Sequence, residues 1–266
     1  MSNRVRASWW VGAVAVLLLT PLAFSQNSVS ITLDNGGPYS MGGLSVGPFN
    51  ATQSVNNGPQ QSVQIICDDF RHNVQRNESW TANITSVTSL TNATTGLAWS
   101  GYNAGGSALF GFGYKGNETF TALQGYLAMA YLASEMLPLS GNKGNATEVG
   151  YMAYAIWAIF DASAVKSWLN GHGAGNIWSQ VQSLAEGALA LAYNKNITQS
   201  QFAGWEILTP DCSKHGSCPL GTPQEFFEYV PVPEGGTAVM YLLLAGFACF
   251  GTMYFKSRRR HASGVV

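Results

Sequence analysis

The sequence predicts an α+β domain of short β-strands with about three helices, followed by a C-terminal transmembrane helix. Three patterns carry that expectation. Period-two alternation marks the early and late parts of the chain body, and apolar residues at helical spacing mark its middle. A single uncharged apolar run lies close to the C-terminus. These patterns divide the chain into residues 1–25, 26–230 and 231–261.

The first segment, MSNRVRASWWVGAVAVLLLTPLAFSQ, has the layout of a secretory signal peptide. Arg4 and Arg6 precede an apolar core from Trp9 to Leu19, and small residues at Ala23 and Ser25 place cleavage before Gln26. Thr20 and Pro21 interrupt the run too early for an uncleaved membrane helix.

Within the body, residues 28–46 alternate locally at Val29, Ile31 and Leu33 and are cut by Gly-Gly-Pro, which predicts short strands and turns. SVQIICDDF at 62–70 and SWTANITSV at 79–87 are further strands, the second with Trp80, Ala82 and Ile84 on one face. Residues 96–116 are glycine-rich and read as loop. Helices are expected over 119–137, ending before Pro138, over TEVGYMAYAIWAIFD at 147–161, and over 176–193. The third would place Ile177, Val181, Leu184, Ala188 and Leu191 on one stripe. FAGWEILTP and QEFFEYVPV read as closing strands.

The run from Thr237 to Phe255 carries no charge and is long enough to cross a hydrocarbon core. Lys256, Arg258, Arg259 and Arg260 follow at once and would hold that end in the cytoplasm. The body is therefore expected outside the cytoplasmic membrane. Between residues 26 and 230 there are 7 Lys/Arg against 13 Asp/Glu, a net charge near −6 where the whole chain has −1. Such a surface argues against nucleic acid as a partner, because that binding needs basic residues to release counterions.

Cys249 lies inside the apolar run, out of reach of the others. Cys212 and Cys218, in PDCSKHGSCP, are expected to form a loop disulfide in an oxidising compartment. The alternative is a metal site of Cys212, His215 and Cys218, for which no fourth ligand is evident. Gly111, Gly113 and Gly116 have the G-x-G-x-x-G spacing without the flanking strand and helix that dinucleotide binding requires. Asp68 and Asp69 point to opposite faces if they continue a strand, so with His72 they do not make one metal site. His172 lies in a glycine-rich loop with no evident orienting partner. Neither a hydrolytic constellation nor a need for a metal or cofactor emerges, so the body is expected not to be an enzyme; a periplasmic hydrolase is the weakest alternative.

The C-terminal stretch VPEGGTAVMYLLLAGFACFGTMYFKSRRRH resembles the PEP-CTERM sorting signal of exported proteins in Gram-negative bacteria. Val232, Pro233 and Glu234 match its motif, Gly235 stands where the family has a second proline, and Gly236 follows. The resemblance implies transient insertion in the cytoplasmic membrane, recognition by an exosortase-type membrane protease, and cleavage near the motif. It also implies a destination at the cell surface or in extracellular biofilm material, with exopolysaccharide or other surface proteins as partners. A permanently anchored periplasmic binding protein is the alternative.

In the body, IICDDFRHNV followed by YMAYAIWAIFD is similar to the thioester-type domains of bacterial surface adhesins. Cys67 and Asp69 match the Cys-x-Asp element, and Ala155 and Trp157 match the later helix, but its Thr and Gln positions hold Met152 and Ala153. The resemblance implies a covalent adhesin using Cys67 as the alternative function, with Gln124 a conceivable acyl donor. Without a donor, Cys67 is expected to be a buried, unreactive thiol.

Overall fold

The computed structural model describes residues 28–55, 58–99, 120–211, 223–231 and 244–246. The expected signal peptide at 1–25, the glycines at 111–116, Cys212, Cys218, the expected sorting motif at 232–236 and the basic residues at 256–260 lie outside them. The expected membrane span lies outside them too, apart from a helical turn at 244–246. Among the described residues no helix is long and apolar enough to cross a membrane.

Helices and strands both form, as the α+β expectation required. The strands are β1 (Ser28–Leu33), β2 (Tyr39–Met41), β3 (Leu44–Val46), β4 (Phe49–Ser54), β5 (Gln60–Cys67), β6 (Ser79–Ser86), β7 (Trp205–Pro210) and β8 (Phe226–Tyr229). Six of them close an antiparallel barrel in the order β1-β4-β5-β8-β7-β6, while β2 and β3 form a separate hairpin. Closure removes the edges of the six-stranded sheet.

Alternation decides which side chains fill the barrel. Val29, Ile31 and Leu33 of β1 are buried, and the rings of Phe49, Trp80 and Phe226 from β4, β6 and β8 meet inside. Phe226 therefore points inward and Phe227 outward, where it packs on Tyr126. β5 alternates only at first; Ile65, Ile66 and Cys67 are all buried because its last residues are covered on both faces. β4 was not among the expected strands: FNATQS has only Phe49 and Ala51 as buried residues, too weak a pattern to register beside its polar positions.

Three helices cover the β5–β8 side. α1 (Ala122–Met136) starts at Thr121 with a capping box, in which Thr121 and Gln124 satisfy each other's backbone N–H groups. α2 (Ala146–Gly171) runs ten residues beyond the expected end at 161. It is buried nearly all round from Val149 to Ala162, so a one-sided apolar stripe does not describe it. α2 kinks at Asp161, whose φ of −137° and ψ of 51° leave the helical region. α3 (Trp178–Tyr193) buries Val181, Ala185, Ala188, Leu189 and Ala192, a stripe rotated from the expected one, with Leu184 and Leu191 half-buried. At Gly125 of α1 an added Cβ would sit 2.4 Å from the Phe160 ring of α2, so glycine sets how closely these helices approach.

The β2–β3 hairpin lies on α2. The Tyr154 hydroxyl donates to the Met41 carbonyl at 2.8 Å, and the Trp168 indole N–H donates to Gly42 O at 2.8 Å. Gly42 carries φ +55° at the turn. One wall of the site is built by this hairpin and α2.

Candidate functional site

Cys67 ends β5, opposite Phe226 of β8. Two residues apart on a strand share a face, so Gln224, just before β8, lies on the same face as Cys67 and diagonal to it. Side chains in that relation are within reach of one another when they are long. The Cys67 Sγ–H donates to the Asp69 carbonyl at 3.3 Å, and the Gln224 Nε2–H donates to the same oxygen at 2.7 Å. Sharing one acceptor holds the sulfur and the amide nitrogen within about 6 Å of each other. A second bond at 2.6 Å, from Gln224 Nε2 to the His72 carbonyl, fixes the amide.

Cys67 is buried, and the Trp157 indole N–H donates to its carbonyl at 3.0 Å from α2. Burial first, and the charges of Asp68 and Asp69 second, push the thiol well above its ordinary range. The sulfur is thus a protonated, water-shielded thiol at neutral pH. Gln224 by contrast lines an open cleft of about 650 Å³, together with Phe70, Arg71, His72, Trp157 and Trp168. The pair straddles the boundary between core and cleft.

The residues that follow Cys67 and Gln224 tie their strand ends together on the outer side. The Asp68 backbone N–H donates to Glu225 O at 3.2 Å. Both side chains are buried; the Glu225 carboxyl accepts from Ala98 N at 2.9 Å, from the Tyr126 hydroxyl at 2.6 Å and from the Thr209 hydroxyl. Among the described residues no N–H reaches the Asp68 carboxyl, which faces Glu225. Two carboxylates have no donor between them, so this contact is a hydrogen bond only while one of them holds a proton. Burial, then the Glu225 charge, drives Asp68 well above the usual carboxylate range, so Asp68 is the acid and Glu225 the acceptor.

Asp69 turns the other way, as strand alternation required. Its Oδ1 accepts the Arg71 backbone N–H at 2.8 Å, and its Oδ2 meets His72 Nδ1. The Arg71 guanidinium lies 5.1 Å from the centroid of Trp99, and its Nε donates to Asp161 at 2.6 Å. Asp161 is the kink residue of α2.

Several expected residues go elsewhere. Gln124 is spent on the α1 cap, donating no acyl group to Cys67 in this arrangement. Met152 and Ala153 are buried core residues. His172 has a partner after all: its ring stacks on Trp168 at 3.8 Å and its Nδ1 lies 2.9 Å from Trp168 O. Trp80, Trp99, Trp157 and Trp205 are buried in the core. No group of three or more His, Cys, Asp or Glu that could hold a metal exists among the described residues. Gln224 was missed, because its proximity to Cys67 depends on which strand β5 pairs with; Asp69 and His72 were weighed only as a metal site, and their pairing comes from the turn after β5.

These features define an α+β protein with an antiparallel barrel, a helical layer on one side, and a buried cysteine beside a cleft-lining glutamine. No protein-family model and no curated protein matches the sequence. Among solved structures, the chain is similar to the N-terminal thioester domain of fibronectin-binding protein SfbI from Streptococcus pyogenes. The TM-score is 0.37 and the identity 12%, over 79% of this chain and 97% of that one.

Proposed function

We propose that this chain is a non-enzymatic, exported surface protein whose domain forms an internal thioester between Cys67 and Gln224. The observation that carries the reading is the shared Asp69 carbonyl, which holds Sγ and Nε2 within about 6 Å of each other at the edge of the cleft. In the bond-forming step, Sγ adds to Gln224 Cδ and the carboxamide nitrogen leaves as ammonia, taking the thiol proton. The product is an acyl carbon exposed to the cleft and a sulfur sealed from water, which slows hydrolysis. A primary amine entering the cleft would take the acyl group, leaving a stable amide and a free Cys67 thiol. The protein would then be joined covalently to its partner, once per chain.

The route to the surface belongs to the same proposal. The acidic body, the N-terminal apolar segment and the PEP-CTERM-like residues Val232 to Gly236 support export, membrane insertion and exosortase-type processing. Exopolysaccharide-rich biofilm material or neighbouring surface proteins would be the setting.

Intact mass tests both parts. The wild-type domain is expected to be short by the mass of one ammonia, and Cys67→Ala and Gln224→Ala are each expected to restore the full mass. A full calculated mass with a titratable free thiol in the wild type refutes the thioester. A mature surface form that still carries Arg260 refutes the sorting route.

A further inference from the structure

We infer that His72, oriented by Asp69, is the general base that deprotonates the incoming amine at the Cys67–Gln224 acyl group; this rests on the thioester reading above. The geometry has four parts. The Asp69 side chain is 3% exposed and fixed at Oδ1 by the Arg71 backbone N–H, while its Oδ2 meets His72 Nδ1. A carboxylate on Nδ1 keeps the ring proton there and leaves Nε2 with its lone pair free to accept. The His72 side chain is 24% exposed and lines the cleft, and Nε2 has no hydrogen-bond partner among the described residues. Finally, before ammonia leaves, Gln224 Nε2 donates to the His72 carbonyl at 2.6 Å, which places the future acyl group against the loop that carries the ring.

The cleft also shows why a base is needed. An ammonium ion has no lone pair, and Arg71 and Arg76 line the same space, so a cationic amine gains nothing by entering charged. The Arg71 guanidinium is turned to Asp161 on α2 and Asp69 is turned to His72, which leaves the imidazole to take the proton. In the balanced step, the amine nitrogen adds to Gln224 Cδ while its proton moves to His72 Nε2. The C–S bond breaks, its electron pair goes to Cys67 Sγ, and the proton returns from His72 to sulfur. The products are a secondary amide and a neutral thiol, so no proton is gained or lost overall.

The test uses methylamine as the probe nucleophile and intact mass as the readout. His72→Gln is expected to keep the ammonia deficit and to react about 100-fold more slowly than wild type. His72→Ala is expected to be slow in the same way and to recover part of its rate on addition of free imidazole, which a purely structural histidine would not do. A His72→Gln rate equal to wild type overturns the assignment and leaves the thioester standing. A missing deficit in both His72 variants, with wild type intact, also overturns it, by placing His72 in the fold or in bond formation. A wild type of full mass removes the thioester and the assignment together, a distinct result from either.

Discussion

At one mouth of the barrel, Cys67, Gln224, Asp69 and His72 converge, and the hydrogen bonds between them pair donors with acceptors. At the other, Gln53, Gln61 and Glu228 border a cavity of about 310 Å³, and Glu206 stands opposite Glu228 across β7 and β8. The same six strands build both ends. At the Cys67 end the helices close over the strands, and the sulfur is neutral and covered by Trp157. At the Glu228 end, buried Glu228 lies beside half-buried Glu206, and Gln53 donates to Glu228 at 2.7 Å. The difference teaches that packing governs the Cys67 end, while protonation governs the other.

The largest test of that contrast is Trp157→Ala. Removing this buried ring empties core volume and strips the Cys67 carbonyl of its donor, for a loss of about 3 to 5 kcal/mol in denaturant unfolding. Trp157→Phe should cost less, since the ring volume is largely kept. A loss below about 1 kcal/mol for the alanine variant would mean that Trp157 does not hold the Cys67 end closed.

The second test concerns pH. Burial first, and the neighbouring Glu206 second, push Glu228 from 4.5 up to about 7. The folded protein therefore holds this proton more tightly than the unfolded chain. Its contribution to stability is complete below pH 4.5 and is lost as pH rises towards 7. At most about 3 kcal/mol is involved for Glu228 alone. Glu228→Gln, which can still accept from Gln53, is expected to flatten the melting temperature between those limits and raise it at pH 8. An unchanged slope would remove the pH dependence from Glu228 and assign it to Glu206, Asp68 and Glu225, which burial shifts in the same direction.

The smallest test separates the two glutamines. Gln124→Ala should cost under about 1 kcal/mol through the α1 capping box and leave the ammonia deficit intact. Loss of the deficit would make Gln124, rather than Gln224, the partner of Cys67.

The sequence alone determined the local structure. Alternation at Val29, Ile31 and Leu33 and at Trp80, Ala82 and Ile84 fixed strands, and helical spacing placed three helices in the middle, because those signals depend on neighbours along the chain. It also carried Cys67 and Trp157 in two elements of one family resemblance, and the terminal segments and charge from which export is proposed. Tertiary structure decided the rest. Polar β4 gained its place by pairing with β1 and β5, and the barrel closed through contacts that no local pattern encodes. Gln224 lies 157 positions after Cys67, and only the β5–β8 register makes them diagonal neighbours. Side-chain identity is written in the sequence, but the juxtaposition that gives two such groups a chemistry is set by strand pairing across the fold.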